Sequence, residues 1–513
     1  MFNKLKNINL INKIKGNSIF KLNIKKIYTV IFLAIFTWII SSCILDSTYE
    51  LNPLIIILSI LVVIMILCYV YKNIKNKDVS NKKTWLFYLV IASIMSVFQF
   101  VIGYLVRTDP SWDLGLVIQS ANEIISFGHS TDMAVYYIQA PNNIFITLIL
   151  AIIFKISNIF GIKDLNISMI ASNILCIQLS ILFLFKIVKK VFNNITACFT
   201  LIITFMFLPI YPYTAIMYTD TTSMLLPIGF LYCVLKINDN SNNKKEYLYY
   251  ALIGLLMFVS FKLKVTAIIV VIAFVINELL NGKFLRVLKI LLVCGLIFIT
   301  MNYMFTAFLK RTNIMGIPYE KTKEIPFTHF VMMGTYGSGA FSAEEWQFTL
   351  RLPDYETRKN ENIRVIKERL KNYKIQGYIK FLNYKIKSQT WGSGTYDFES
   401  ILNSYNIDNN IAHQFLLTNG SYYKYIFYYC QIYHFSMLIF ILISCFYTIK
   451  NKNENSILSN AKLSIFGLLI FLLIWETRSR YMLNFIPVYI LVGISGIEFF
   501  EKDFKKLIKK IMY

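Results

Sequence analysis

Long apolar runs broken by short polar stretches fill this chain. Uninterrupted runs recur at about 27–45, 54–71, 84–106, 167–190, 195–212, 219–237, 247–262, 265–281, 285–308, 426–449, 462–477 and 482–500. Crossing about 30 Å of hydrocarbon as a helix takes roughly 17–25 such residues. The pattern predicts an all-α polytopic membrane protein with about twelve transmembrane helices. One further apolar stretch, 142–160, is ambiguous by length. Another pattern interrupts the runs at 113–128: Leu114, Val117, Ile118, Ala121, Ile124 and Ile125 recur at helical spacing, with Asn122, Glu123 and Ser126 between them. That spacing predicts an amphipathic helix lying on a membrane face.

Charge decides how the runs are threaded. Lys and Arg gather in cytoplasmic segments of membrane proteins. With the basic N-terminus (1–26, free of Asp and Glu) inside, the acidic turn 46–52 is outside, "KNIKNKDVSNKK" (72–83) is inside and 107–141 is outside. If 142–160 crossed, "KIVKK" (186–190), "NNKK" (242–245), "NGKFLRVLK" (281–289) and the tail "EKDFKKLIKK" would all face outward. If it stays on the outer side as a re-entrant or surface helix, all four return inside. The second threading is expected, with both termini cytoplasmic. It divides the chain into a basic tail with two accessory helices (1–83), a transmembrane core (84–308) containing the first outer loop, an extracytoplasmic and mostly helical loop subdomain (309–425), and C-terminal helices with a basic tail (426–513). Irregular backbone is expected at "GTYGSGAF" and "WGSGTY".

Composition adds little to this. The chain has 513 residues, 56% of them hydrophobic, and a formal net charge of +24. Because the cations sit between apolar runs, the charge is an orientation signal and does not point to nucleic acid. The eight cysteines fall within apolar runs without metal-ligand spacing and read as small buried hydrophobes. No small-residue cleavage site stands near Ser41–Cys43, so the first helix is expected to be retained. No cofactor is firmly indicated; a divalent cation stays open, without a ligand cluster to support one.

The chemistry candidates lie at the outer ends of the spans. Asp109 and Asp113 follow the third run. Asp113 suits either a helix N-cap or a reactive carboxylate, whereas Asp109 before Pro110 fits a turn. Asp220, in "YPYTAIMYTDTTSM", caps the next helix or serves the site. Lys262 and Lys264 interrupt apolar sequence at an outer end, where a cation must snorkel or meet an anion such as a lipid phosphate. Glu476, Arg478, Arg480 and Tyr481 share a short outer turn; the arginine pair suits phosphate oxygens, and a structural Glu–Arg network is the other reading. His329 is a candidate substrate hydrogen-bonding group, and Tyr137 joins the candidate binding residues.

The order of these motifs resembles the GT-C glycosyltransferases, which include aminoarabinose transferases and protein O-mannosyltransferases. An outer-loop Asp113 is followed fifteen residues later by Gly128, then by Pro141 opening an apolar outer helix, then by Asp220 after the next outward span. The late "E-x-R-x-R-Y…P", "P-x-T-H-x-x-M-M-G" (326–334) and "W-x-x-G-T-Y" (391–396) also look similar to bacterial members. One departure stands out: Leu114 follows Asp113 where the family carries a second acid. The resemblance implies a cell-membrane glycosyltransferase with an outward-facing site, a polyprenyl-phosphate sugar donor, and an extracytoplasmic glycan, glycolipid or protein acceptor. Asp113 would be the general base, with Asp109 and Asp220 as further carboxylates. A polysaccharide polymerase or ligase needs the same surroundings. A transporter or flippase of lipid-linked sugars predicts charges midway through spans and repeated halves, and neither is present in the sequence. A scaffolding role leaves the acid and base clusters unexplained.

Overall fold

The computed structural model describes residues 18–49, 51–109, 112–131, 134–239, 243–316, 324–403, 410–450 and 454–512. Every regular element among them is helical. The long helices are α1 (Ser18–Leu45), α2 (Pro53–Ile74), α3 (Asn81–Leu105), α4 (Asp113–Phe127), α5 (Ile144–Ile159), α6 (Leu165–Val191), α7 (Asn194–Phe205), α8 (Leu225–Asp239), α9 (Asn243–Leu263), α10 (Ile269–Leu280), α11 (Phe284–Thr312), α12 (Tyr355–Gln389), α13 (Tyr423–Lys450), α14 (Ser456–Ile474) and α15 (Ile486–Met512). Local signals start and stop them. Asn52 caps α2 by accepting from the amides of Leu54 and Ile55, with Pro53 at the first helical position. Asp164 caps α6 and Asn193 caps α7 in the same way. Gly128 closes α4 in the left-handed conformation at φ 82°.

Polar contacts between helix ends divide the bundle into two faces. On the basic face Lys25 meets Asn281 at 3.1 Å, and Lys75 pairs with Glu501. There also Lys189 reaches Asn81, Lys190 approaches Asp239 at 3.4 Å and Arg286 approaches Glu246 at 3.5 Å. On the opposite face Asp46 pairs with Lys387 of the large loop between α11 and α13. The chain alternates between these faces. The pair Asn194–Phe205 and Leu208–Ala215 is apolar and long enough only taken together and bends through 73°, and Val265–Leu280 is apolar but shorter than a full span. Among the described residues eleven helices are long and apolar enough to cross a membrane, or twelve if the bent pair is one span, so the bundle is that of a multi-pass membrane protein.

The stretch 142–160 forms a helix that lies, in chain order, between the antiparallel α3 and α6. Its helix, Pro141–Ile159, is long and apolar enough to count as a span. Yet α3 and α6 run antiparallel: Lys189 at the end of α6 meets Asn81 at the start of α3, and Gln178 meets Gln99 at 2.8 Å further along. Residues 106–164 therefore leave and return to one face, and a lone crossing by α5 would break that pairing. Instead α5 packs on the amphipathic α4 and on α6.

Burial separates core from periphery. The spans at Thr219–Asp239 and Ser479–Glu501 have 83% of their apolar window covered by protein, against 17% for Pro53–Ile74 and Phe284–Thr312. The first pair is the bundle's centre and the second faces lipid. At the centre α15 lies close against α13: a Cβ on Gly496 would fall 1.9 Å from the Phe440 carbonyl oxygen, and Ser444 and Ser495 share a hydroxyl hydrogen bond. Small residues that let backbones approach, joined by side-chain hydrogen bonds, hold helices together where lipid removes the hydrophobic drive. The N-terminal α1 and α2 also pack on α13, so the first two helices are built into the bundle.

The large loop is mostly helical, with Phe327–Met333, Ala343–Leu350, α12, Phe398–Leu402 and Ile411–Leu416. The stretches around 334–342 and 390–397 are irregular, as their glycines predict. The loop docks on the turn after α14. The Glu476 and Thr477 amides donate to the carbonyls of Phe330 and Gly339, both at 2.9 Å. The buried Lys385 ammonium donates to the carbonyls of Gly334 (2.8 Å), Trp475 (2.7 Å) and Leu473 (3.1 Å).

Candidate functional site

The face that carries the loop also carries a cluster of charged side chains drawn from four parts of the chain. Asp113 occupies the first position of α4. It does not cap that helix, as the sequence alone allowed: Trp112 is the N-cap and no side chain bonds there. The Asp113 carboxylate is exposed and faces the phenols of Tyr136 and Tyr218. Burial first, and the Asp113 charge second, hold the Tyr218 hydroxyl well above its ordinary value. Tyr218 donates to Asn143 Oδ1 at 2.9 Å, and the Asn143 amide donates in turn to the Tyr136 hydroxyl. Trp112 stands edge-on to Tyr218, with ring centroids 5.1 Å apart.

Asp220 sits in the four-residue helix Thr219–Thr222, 3% exposed. A carboxylate buried so fully requires a partner, and Lys264 supplies one: Nζ donates to Oδ1 at 2.6 Å. Lys264 occupies the break between α9 and α10, where an extended residue interrupts the apolar sequence. Its ammonium also lies 4.1 Å from the centre of the Tyr481 ring. Burial pulls the Lys264 pKa down, and the Asp220 charge opposes that.

The turn after α14 brings the other cations. Arg480 approaches Asp220 Oδ2 only loosely, at 3.9 Å through Nε, and its guanidinium lies 5.1 Å from the centre of the Trp112 ring. Glu476 is 4% exposed and accepts from the Tyr481 hydroxyl at 2.9 Å. Burial pushes its carboxyl up, against the Tyr481 hydrogen bond and the charges of Arg480, Lys264 and Arg478. The Ser479 amide donates to Asp397 Oδ2 at 3.1 Å.

The structure thus brings together Asp113, Asp220, Lys264, Glu476, Arg480 and Tyr481, with Arg478 beside them. Four other candidates lie elsewhere. His329 is fully buried in the loop subdomain, bonded to Thr349 at 2.7 Å and packed edge-on against Phe330 and Trp346; burial lowers its pKa to about 4. Tyr137 is 2% exposed and bonded to Thr147 at 2.7 Å, in a small cluster with Ile144 and Met315. Lys262 lies over the rings of Phe261 and Phe305. Asp109 is exposed beside a separate open cleft of about 670 Å³ along the polar face of α4, lined by Gln119, Asn122, Glu123, Ser126 and Thr131. Among the described residues no three of His, Cys, Asp and Glu gather closely enough to hold a metal ion.

Sequence reasoning missed Tyr136, Asn143, Tyr218, Asp397 and Glu399. For the last two a signal existed, since they directly continue the "W-x-x-G-T-Y" run. Glu399 accepts from Thr395 at 2.9 Å through Oε1, while Oε2 is buried without a hydrogen-bond partner among the described residues. Burial, then the Asp397 charge, raises its pKa to about 7. A carboxyl raised on folding binds more protons folded than unfolded between about 4.3 and the raised value, so stability falls as pH rises through that window. Glu399→Gln removes the titration. It is expected to raise the thermal midpoint by a few degrees at pH 8 and to change it little at pH 4.5, read by thermal unfolding in detergent.

Eleven or twelve helices long and apolar enough to span a membrane, with a helical loop domain and a charged cluster at one end of the bundle, define a multi-pass integral membrane protein. The chain belongs to a family described as conserved hypothetical integral membrane protein, whose model it matches over residues 17–498. No curated protein and no solved structure matches it.

Proposed function

We propose that this protein is a glycosyltransferase of the GT-C type that moves a sugar from a polyprenyl-phosphate donor to a hydroxyl of an acceptor. One observation carries the reading: the exposed Asp113 carboxylate faces Tyr218, whose hydroxyl also feels Arg480 and Asp220, while the buried Asp220 binds Lys264 closely and Arg480 loosely. A polyprenyl-phosphate sugar has its scissile bond at that boundary, since its tail is in lipid and its sugar in water. Asp113 takes the proton of the acceptor hydroxyl as its oxygen attacks the anomeric carbon. The bond from that carbon to the phosphate oxygen breaks, and polyprenyl phosphate leaves with the electron pair. Lys264, Arg480 and Arg478 meet the charge that develops on the phosphate. Arg480, with only a loose ion pair, keeps donors for two phosphate oxygens. The acceptor is an extracytoplasmic glycan, glycolipid or protein.

In this reading the basic face is cytoplasmic and the site opens outward from the cell membrane. Lys374, exposed in α12, reports that sidedness. A Lys374→Cys variant is expected to react with a membrane-impermeant thiol reagent on intact cells; labelling only after permeabilisation would reverse the orientation.

Proteoliposomes offered radiolabelled polyprenyl-phosphate sugars test the function. Wild-type protein is expected to release polyprenyl phosphate from one of them and to pass the sugar singly to an acceptor. Transfer of a preassembled glycan chain would indicate a polymerase or ligase. Movement of the intact lipid-linked sugar between leaflets would indicate a transporter.

A further inference from the structure

The backbone at Tyr396 and Asp397 is left-handed at both residues, with φ 57° and 63°. A non-glycine residue rarely adopts this region, and two in succession are rarer. Such strain persists only where the surroundings over-determine it, and it gathers at functional sites. Here the surroundings are densely bonded. Tyr213 donates to the Tyr396 carbonyl, and the Tyr396 hydroxyl bonds to His434 Nδ1 at 2.9 Å. Gln431 binds the preceding turn twice, donating to the Gly392 carbonyl at 2.9 Å and accepting from the Gly394 amide at 3.1 Å. Neither glycine has room for a side chain: a Cβ would fall 1.8 Å from the Lys387 carbonyl oxygen at Gly392 and 2.4 Å from that of Cys430 at Gly394.

All of this structure delivers one group. The Asp397 carboxylate crosses from the loop to accept the Ser479 amide, the residue between Arg478 and Arg480. Both arginines act on it electrostatically. Without this contact the turn is held by the loop through the amides of Glu476 and Thr477, which precede both arginines.

We propose that Asp397 is a positioning residue: it fixes the Ser479 amide and so aims Arg478 and Arg480 into the site. That the arginines then meet a donor phosphate rests on the glycosyl-transfer reading. The variants Asp397→Gly and Asp397→Asn separate the contributions. Glycine accepts the left-handed backbone without strain, so the loop folds while the carboxylate is lost. Asparagine tolerates that backbone and keeps an acceptor oxygen.

The test uses the full chain in detergent and has two arms. In amide hydrogen exchange, Asp397→Gly is expected to speed exchange at Ser479 and Arg480 tenfold or more, leaving α13 and α15 as protected as in wild type. Asp397→Asn should stay within a few-fold of wild type. In direct binding of polyprenyl phosphate, Asp397→Gly should weaken affinity about tenfold and Asp397→Asn less. Unchanged exchange at Ser479 in Asp397→Gly would overturn the proposal, as would a uniform loss of protection across the bundle. If wild type and Arg480→Ala bind polyprenyl phosphate equally, the donor reading fails, and the exchange arm still decides whether Asp397 sets the turn.

Discussion

Asp113→Asn is expected to lower turnover by about 10²- to 10⁴-fold, the range of a missing general base, while leaving folding and insertion intact. The carboxylate is exposed, caps no helix and pairs with no cation among the described residues, so no ion pair of the fold is lost with its charge. The asparagine keeps its shape at the first position of α4 and keeps an acceptor for a neighbouring phenol, but cannot take a proton. Asp109→Asn should lose much less, because Asp109 lies by the cleft on the polar face of α4. Turnover of the purified variants, set beside their thermal midpoints, separates the outcomes. Wild-type turnover in Asp113→Asn would remove the base, and a loss that tracks stability would make the residue structural.

The second large effect is expected at Arg480. A hydrogen bond to a charged group contributes roughly 1.5–3 kcal/mol. At about 1.4 kcal/mol per decade, Arg480→Ala should weaken binding of the donor phosphate tenfold to a hundredfold. Lys264 is a poorer position for this test. It is the close partner of the buried Asp220, and removing it strands that carboxylate; breaking a buried pair in this way costs several kcal/mol of stability. Arg480 stands 3.9 Å from the same carboxylate, so its removal leaves Asp220 bonded to Lys264. Equilibrium binding of polyprenyl phosphate to both proteins reads the effect. Unchanged affinity with a lowered thermal midpoint would make Arg480 part of a structural Glu–Arg network.

Much of the fold was legible because lipid imposes a length and a charge asymmetry on every pass. The parity of four basic segments kept 142–160 from being counted as a crossing, and the antiparallel pairing of α3 with α6 agrees. Two of the runs are irregular in the structure: the one through Phe205 is long enough only as a bent pair, and Val265–Leu280 is shorter than a full span. The grouping of Asp113, Asp220, Lys264 and Arg480 was legible for the same reason, since charges at span ends on one face are brought close by the bundle. Within the loop the same logic fails. No membrane sets positions there, and the side chain of His329 has the same chemistry whether it lines a site or fills a core. Only packing against Trp346 and Thr349 distinguishes the two. Tyr136 and Tyr137 cannot be told apart in sequence, because adjacent tyrosines differ only in which helix face they occupy. Asp397 directly continues the "W-x-x-G-T-Y" run, but its reach to Ser479 depends on a left-handed turn with Tyr where Gly is usual, which no local residue preference announces.

The central claim is that Asp113, Lys264 and Arg480 surround a sugar–phosphate bond at the membrane boundary. An experimental structure of the protein with polyprenyl phosphate tests it most directly. Phosphate density is expected within hydrogen-bond distance of Arg480 and Lys264, with the prenyl chain running into lipid and the Asp113 carboxylate facing the side on which the sugar is carried. Lipid phosphate bound elsewhere, with the Asp220 cluster closed to it, would contradict the account.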